Sequence, residues 1–336
     1  MATPVVSIAD QVRDVLDRAA AVLGTARASD TLGSVIDDIF QLPPAAPEYR
    51  RNGLMPDSVP CEISFSENEL NTLRFAFELV HPDRSLAWRR QRLTHIANGL
   101  VRSAFGDERS RWFMTATAPW WGEEAAAPRR FSAWMAPVVN AGGLQALKVY
   151  YEAHDQHVSL LASGLAETFT RARTTLPDLV PWYVTFRSGA TSSDQRLTVR
   201  HRGELSLDRL AQAAGALGLR REYASLEPFI RLVVGDAATL SDRMFLFGLG
   251  DTRRGVELKL ELVLAMVPQL DRVAFQAGLE QLLHTRPAVL DGLATWLRAF
   301  GESSAASDNL SVLSVRIAPG AEPLINLYLR HPVFRL

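Results

Sequence analysis

Six short segments of this chain alternate apolar and polar residues, and this pattern is what most constrains the fold. In Leu144–Ala153, Lys148 and Tyr150 lie two residues apart, so they share one face of a strand. The aliphatic side chains that alternate with them lie on the other face. The same alternation recurs in Cys61–Glu67, Leu73–Leu79, Gln195–Arg202, Glu257–Leu262 and Leu324–Arg330. The chain is therefore expected to form a sheet with one apolar face and one charged face.

Turn signals and hydrophobic periods divide the chain into helices and paired strands. Strand pairs are predicted at residues 60–66 with 71–80, 131–137 with 144–153, 182–188 with 195–202, 244–249 with 255–264 and 311–317 with 323–330. Helices are predicted at residues 5–24, 31–40, 86–105, 156–173, 206–217, 223–234, 271–284 and 288–300. Residues 111–130 are predicted to be mostly loop, and Gly250-Asp251 a hairpin turn. We interpret this order as helix, helix, strand, strand, five times over, with a single helix located before the second and before the third strand pair.

This order predicts the architecture of the sheet. Short hairpins make the strands of each pair antiparallel, and the helices between pairs cover the apolar face. The charged face then points to solvent in an open sheet, or into a lumen if the sheet closes. Ten strands leave a cavity where eight leave little room, and the mixture of Arg, Lys, Tyr and Glu favours closure. We predict an α+β fold in which a ten-stranded antiparallel barrel, surrounded by α-helices, forms one domain of residues 1–336. Helices within residues 1–45 are expected to pack on its outside.

Charge and cysteine content narrow the range of partners. A formal net charge of -1 gives no general reason to expect nucleic acid or an anionic membrane as a partner. The single cysteine, Cys61, fits a reducing compartment, and its place on the apolar strand face predicts a buried thiol. The first 24 residues are expected to form an amphipathic helix and not a signal peptide. We expect a cytoplasmic protein that is a monomer or a weak homodimer.

Several of the alternating segments resemble those of a known enzyme family. Pro60-Cys-Glu62-Ile-Ser64 is similar to the P-x-E-x-S motif of the aromatic prenyltransferases with the ABBA fold (the prenyltransferase barrel), dimethylallyltryptophan-synthase type. LRFAFELV with Arg74 is similar to the first diphosphate-binding strand of that family, and LKVYYEA to its Lys-x-Tyr strand. ELKLEL and LINLYLR fall where later strands belong. The resemblance implies transfer of a dimethylallyl-type group from a prenyl diphosphate to an electron-rich, indole-like acceptor, without a metal ion or other cofactor.

The residue types suit this chemistry. A diphosphate needs several cations, because Arg and Lys form charge-assisted hydrogen bonds with it. The candidates are Arg74, Lys148, Arg196, Arg200, Lys259 and, more weakly, Arg316. Tyr150 and Tyr328 are expected to shield the allylic cation that forms as diphosphate leaves. Glu62 is the candidate catalytic residue, which orients the acceptor and takes its surplus proton. No D-D-x-x-D cluster is present, so a metal-bridged diphosphate is not implied.

The chain departs from the family pattern at two places. Its third strand pair offers Arg196, Thr198 and Arg200 where Arg-x-Lys-x-Tyr is expected, and its fourth carries Glu261 where a tyrosine is expected. These changes predict a thinner tyrosine shield and a different acceptor or a wetter cavity. They leave open an alternative, prenylation of Tyr, Trp, His or Arg side chains of a ribosomal, cyanobactin-like peptide. A non-catalytic barrel that only binds an anionic ligand is the alternative from another class.

Overall fold

Ten antiparallel strands close into one barrel in the computed structural model, which describes residues 6–121, 130–252, 255–267, 270–301 and 309–335. The described ranges contain twelve strands, and all but β7 and β8 belong to the barrel. They are β1 (Cys61–Ser66), β2 (Leu73–Glu78), β3 (Trp134–Asn140), β4 (Gly143–Glu152), β5 (Leu179–Gly189), β6 (Ser193–His201), β7 (Leu205–Ser206), β8 (Thr239–Leu240), β9 (Phe245–Thr252), β10 (Gly255–Val263), β11 (Leu310–Ile317) and β12 (Leu324–Leu329). The short strands β7 and β8 pair only with each other. The predicted ten-stranded barrel is confirmed.

The order of strands around the barrel follows the chain. It is β1-β12-β11-β10-β9-β6-β5-β4-β3-β2, and β2 pairs again with β1. The first and last strands close the ring, with Ser64 opposite Tyr328. Because every pair is antiparallel, alternate residues of each strand face the lumen, and every lumen-facing side chain lies near one on the next strand.

Helices surround the barrel. They are α1 (Ile8–Leu23), α2 (Ala28–Ile39), α3 (Pro47–Arg50), α4 (Leu86–Phe105), α5 (Asp107–Trp121), α6 (Ser163–Thr175), α7 (Leu207–Ala216), α8 (Arg220–Val234), α9 (Arg272–Leu283) and α10 (Pro287–Ala299). Helix α1 begins where the Ser7 hydroxyl accepts a hydrogen bond from the Asp10 N–H, and it ends at Gly24, whose φ is 68°. It packs against α2, α10 and β2. None of the helices in the described ranges has the length and apolar character needed to cross a bilayer.

The hydrophobic core lies between the barrel and the helices. Leu147 and Val149, which alternate with Lys148 and Tyr150, are at most 1% exposed and belong to this layer. Cys61 is fully buried there, as predicted, and burial raises the pKa of its thiol well above the usual value. The apolar strand faces thus point outward under the helices, which leaves the charged faces to line the lumen.

The structure corrects three local predictions. Residues 107–121 form helix α5 where a loop was predicted, because Trp120 is buried against Phe186 and His157; residues 122–129 of that loop lie outside the described ranges. The helix predicted at 156–173 is a 3₁₀ turn at Asp155–Leu160 followed by α6, and the Ala162 N–H between them donates to the Gln195 side chain. The turn predicted at Gly250-Asp251 is wrong as well, since both residues pair with β10.

Candidate active site in the barrel lumen

The lumen contains two adjoining chambers. The first, here called the cationic chamber, has a volume of about 280 Å³, and its basic lining residues are Arg74, Lys148, Arg187, Arg196, Lys259 and Arg316. The second, here called the aromatic chamber, has a volume of about 170 Å³, and its lining includes Glu62, Trp134, Trp182, Tyr183, Leu246 and Glu261. Both chambers share Arg74, Lys148, Tyr150, Lys259, Asn326 and Tyr328. These shared residues form the boundary at which a ligand in one chamber meets a ligand in the other.

Basic side chains lie next to one another across the strands of the cationic chamber. Lys148 on β4 is directly opposite Arg187 on β5, and Lys259 on β10 is directly opposite Arg316 on β11. Like charges in such cross-strand positions are unfavourable. This arrangement therefore reduces the stability of the empty barrel, and it is what an anionic ligand requires.

Two glycines of β9 make room for the long basic side chains. Gly248 lies opposite Lys259, and a Cβ atom at Gly248 would lie 2.9 Å from Lys259 Cε. Gly250 lies opposite Arg196 on the neighbouring strand β6. The absence of a side chain at these lumen positions allows both cations to extend into the chamber.

Carboxylates hold most of these cations in place. Arg74 pairs with Glu69, and Lys259 pairs with Glu261. Glu257 Oε2 lies 2.8 Å from Arg196 Nη2 and 3.4 Å from Arg316 Nη1. Six basic residues and three acidic ones, Glu69, Asp194 and Glu257, line the cationic chamber. The chamber thus keeps an excess of basic groups over acidic ones even after these pairs are counted.

Lys148 lacks such a partner. Within the part of the chain that the structure describes, its amine forms no hydrogen bond and no ion pair. Burial, together with the charges of Arg74 and Arg196, lowers the pKa of Lys148 well below its usual value. A bound anion would favour the protonated form of this amine.

The structure changes the predicted set of cations at two positions. Arg187 lines the cationic chamber but was not predicted; its alternation with Thr185 and Tyr183 on β5 was the available signal. Arg200 does not line either chamber: it lies four residues beyond Arg196 on β6, about 13 Å along the strand. There its guanidinium group pairs with Asp242 at 2.8 Å. The predicted grouping of Arg200 with the other cations is therefore not observed.

Three tyrosines lie at or near the boundary between the chambers. Tyr150 and Tyr328 line both chambers, and Tyr183 lines the aromatic one. The ring centroid of Tyr183 lies 5.7 Å from that of Tyr150 in an edge-to-face arrangement. Burial raises the pKa of all three hydroxyls well above 10, so the rings stay neutral. Tyr183 on β5 thus adds a third ring that was not predicted, and the thinner shield relative to the family pattern stays a prediction.

A β-bulge explains why two neighbouring residues of β5 both line the aromatic chamber. The pairing of β5 with β6 shifts between Pro181 and Tyr183, which leaves Trp182 as the extra residue. Trp182 and Tyr183 therefore both contribute to the lining. A simple alternation cannot predict this arrangement.

Two carboxyl groups face the aromatic chamber. Glu261 accepts a hydrogen bond of 3.2 Å from the Tyr183 hydroxyl and pairs with Lys259. Glu62 has no hydrogen-bond partner among the described residues, so its carboxyl group is available to a ligand. Burial and the charge of Glu261 raise the pKa of Glu62 to about 8, against the opposing effect of Arg330 and Lys259. Glu62 can therefore exchange a proton near neutral pH.

A third carboxylate fixes one wall of the aromatic chamber. Glu78 Oε2 accepts hydrogen bonds from the backbone N–H groups of Gly53 (2.7 Å) and Leu54 (2.9 Å) and from Trp134 Nε1 (3.1 Å). Trp134 is also stacked on Phe131, with ring centroids 4.1 Å apart. Leu54 and Trp134 both line the chamber, so Glu78 determines the shape of this wall. In the described ranges, no group of three or more His, Cys, Asp or Glu side chains is placed to hold a metal ion.

Several solved structures have an architecture similar to this one. The chain is similar to a 5-dimethylallyl tryptophan synthase from Streptomyces coelicolor, solved in complex with DMASPP and Trp, with a TM-score of 0.74 and 17% identity over 99% of this chain and 97% of that one. A 6-dimethylallyltryptophan synthase from Micromonospora olivasterospora gives a TM-score of 0.75, 17% identity and coverage of 98% and 99%. AnaPT from Neosartorya fischeri gives a TM-score of 0.70 and 11% identity over 99% of this chain and 96% of that one.

The fold is that of the prenyltransferase barrel. No family model and no curated protein sequence matches the chain. The similarity to the solved prenyltransferase barrels extends over nearly the full length of both chains at low sequence identity. The resemblance noted at Glu62, Arg74 and Lys148 is thus confirmed for the fold, and all three residues face the lumen of the prenyltransferase barrel.

Proposed function

We propose that this protein is an aromatic prenyltransferase, which transfers a dimethylallyl-type group from a prenyl diphosphate to an electron-rich, indole-like acceptor. The observation that carries the proposal is the contact between the two chambers. A chamber with six basic side chains adjoins one with aromatic walls and the carboxyl group of Glu62, which has no hydrogen-bond partner among the described residues. Such a division suits a substrate whose charged head and reacting carbon must lie in different environments.

The cationic chamber is proposed to bind the diphosphate. Arg74, Arg196 and Arg316 offer guanidinium groups whose planar geometry matches phosphate oxygens, and Lys148 and Lys259 add ammonium groups. Charge-assisted hydrogen bonds from these groups also stabilise the leaving diphosphate as its negative charge grows. We infer that these cations perform the task without a metal ion, and activity in the presence of EDTA tests that inference.

Transfer itself is proposed to occur at the boundary of the chambers. When the carbon–oxygen bond breaks, the electron pair leaves with diphosphate, and the allylic carbon becomes cationic. The neutral faces of Tyr150, Tyr183 and Tyr328 can stabilise this cation and keep water away from it. The acceptor ring then forms the new carbon–carbon bond and becomes cationic in turn. Loss of its ring proton to Glu62 restores aromaticity, and protonated Glu62 releases that proton to solvent afterwards.

The proposal is tested with a panel of aromatic acceptors and labelled dimethylallyl or geranyl diphosphate, in the presence of EDTA. The panel includes indoles, phenols and short peptides that contain Tyr, Trp, His or Arg, since prenylation of a ribosomal peptide remains the alternative acceptor class. The small volume of the aromatic chamber, about 170 Å³, favours small-molecule acceptors. Absence of any prenylated product would contradict the proposal.

Two variants separate a catalyst from a barrel that only binds anions. Glu62→Gln is expected to abolish turnover while prenyl diphosphate still binds, because Glu62 lies outside the cationic chamber. Lys148→Ala is expected to weaken the binding of prenyl diphosphate itself. Arg202→Ala, on the exposed surface, is the matched control for the loss of one basic side chain. Binding of prenyl diphosphate to the wild type without turnover of any acceptor would identify a carrier.

A further inference from the structure

The charged groups of the aromatic chamber are distributed unevenly. Its basic lining residues are Arg74, Lys148 and Lys259, and all three also line the cationic chamber. Under the proposed function they are engaged by diphosphate and by Glu69 and Glu261. The part of the chamber farther from the boundary contains Leu54, Ala76, Trp134, Trp182, Leu246 and Val312, together with the carboxyl groups of Glu62 and Glu261. The described residues that line only this chamber thus offer an acceptor carboxylates and aromatic faces and no basic side chain, while Arg330 acts on Glu62 from outside the lining.

Backbone N–H groups do not provide an anion site there either. The N–H groups of Gly53 and Leu54 point together at one place, as they would to bind a carboxylate. That place is already occupied by the carboxylate of Glu78, which also accepts from Trp134. Phe131 packs tightly against Gly53, where a Cβ atom would lie 2.6 Å from Phe131 Cβ. An internal carboxylate thus saturates the donors that an acceptor carboxylate would need.

Two arginines near Trp182 are also engaged elsewhere. The guanidinium groups of Arg130 and Arg200 lie 4.1 and 5.5 Å from the centre of the Trp182 ring, and Arg200 pairs with Asp242. Neither arginine lines the chamber, whereas Trp182 does. The surface that an acceptor contacts here is therefore the Trp182 ring and not the guanidinium groups that lie against it.

We propose that this chain selects acceptors with a positively charged side arm, aryl-alkylamines such as a 3-(2-aminoethyl)indole, and disfavours acceptors with a free carboxylate. This inference rests on the proposed function and names its acceptor class. A protonated amine can donate to the carboxylates of Glu62 and Glu261 and lie against an aromatic face, whereas an acceptor carboxylate would be buried without a donor and repelled by Glu261. A bound ammonium group also favours the ionised form of Glu62, the form that accepts the proton.

The first experiment measures binding. Calorimetry is carried out on the 336-residue chain saturated with a thiolo analogue of dimethylallyl diphosphate, with tryptamine, 3-methylindole, indole-3-propionate and L-tryptophan as ligands. We expect tryptamine to bind at least about tenfold more tightly than indole-3-propionate, with 3-methylindole between them, because a like-charge contact in a buried site costs several kcal/mol. Equal or tighter binding of indole-3-propionate or L-tryptophan overturns the inference, as does binding of none of the four.

A second experiment locates the selectivity. Glu261→Gln removes one negative charge and is expected to reduce the preference for tryptamine over 3-methylindole, while the affinity for 3-methylindole changes less than about threefold. Tyr183→Phe removes the hydroxyl that donates to Glu261 but keeps the charge, and it is expected to retain the preference. An unchanged preference in Glu261→Gln, with the variant shown to be folded by thermal unfolding, contradicts the assignment.

Product formation separates this inference from the proposed function. If tryptamine binds best but no acceptor is prenylated, the proposed transfer reaction is wrong and the charge selectivity stands. If L-tryptophan is prenylated more efficiently than tryptamine, the transfer reaction stands and the selectivity is overturned.

Discussion

The pH dependence of stability gives a direct test of the environment of Glu62. Its half-buried carboxyl group faces the lumen, where desolvation and the negative charge of Glu261 oppose its ionisation. Arg330 and Lys259 act in the opposite direction but do not compensate, so the pKa rises from 4.5 to about 8. Replacement of Glu62 by Gln removes this titration and keeps the size of the side chain.

The size and sign of the effect follow from proton linkage. The folded chain holds the Glu62 proton more tightly than the unfolded chain does, so the free energy of unfolding falls as pH rises from about 5 to 8 and then levels off. A pKa of about 8 in place of 4.5 corresponds to at most about 4–5 kcal/mol. Since Glu62 borders a cavity that water can enter, we expect about 2–3 kcal/mol.

The assay is chemical unfolding of both chains at several pH values between 5 and 9. The difference in free energy of unfolding between Glu62→Gln and the wild type is expected to grow with pH by about 2–3 kcal/mol, in favour of the variant. Glu167→Gln, on the exposed face of α6, is the matched control for the loss of one carboxyl group. Parallel curves for Glu62→Gln and the wild type across this range would refute the reasoning.

Three further predictions concern the lumen. Lys148→Ala is expected to raise the KM for prenyl diphosphate by about 10–100-fold, because it removes one charge-assisted hydrogen bond. Arg200→Ala is expected to raise the same KM by less than about twofold, because Arg200 lies outside both chambers. Similar increases in steady-state kinetics would contradict the placement of Arg200 away from the diphosphate. Gly248→Ala is expected to displace the Lys259 amine and raise the same KM by about 3–10-fold, unlike Gly250→Ala, whose new methyl group would lie no nearer than 3.6 Å to any neighbour. Glu78→Ala leaves three donors unpaired and is expected to lower the free energy of unfolding by about 3 kcal/mol; a loss below about 1 kcal/mol in chemical denaturation would show that water replaces the carboxylate.

Much of the lumen could be predicted because strand alternation is a local property. Lys148 and Tyr150 on β4, Arg74 on β2 and Lys259 on β10 all face the cavity, as their positions in alternating segments predicted. Helix α4 begins at Leu86 and ends at Phe105, as its hydrophobic period predicted. In these segments the side-chain period predicts the same buried face that the folded protein uses, so tertiary contacts do not change the local prediction.

Other parts of the site depend on contacts between distant segments. Tyr183 alternates with Thr185 and Arg187, but only the bulge in the pairing with β6 shows that Trp182 lines the lumen as well. Arg200 alternates with Arg196 as predicted, but depth along the barrel axis separates them, and alternation contains no information on depth. The Glu78 contact with Gly53 and Leu54 joins residues 24 or 25 positions apart, with strand β1 between them in the chain.

The sequence by itself determined that six of the ten barrel strands would each present one polar, mostly ionic face, since the two-residue period of a strand is written in the order of its side chains. Only the tertiary structure decided how those faces divide the lumen between diphosphate and acceptor. That division depends on register, bulges and strand tilt, which set the height of each side chain along the barrel axis. It also depends on the burial of Glu62 beside Glu261, residues far apart in the chain, because the energy of a charge is set by its neighbours in space.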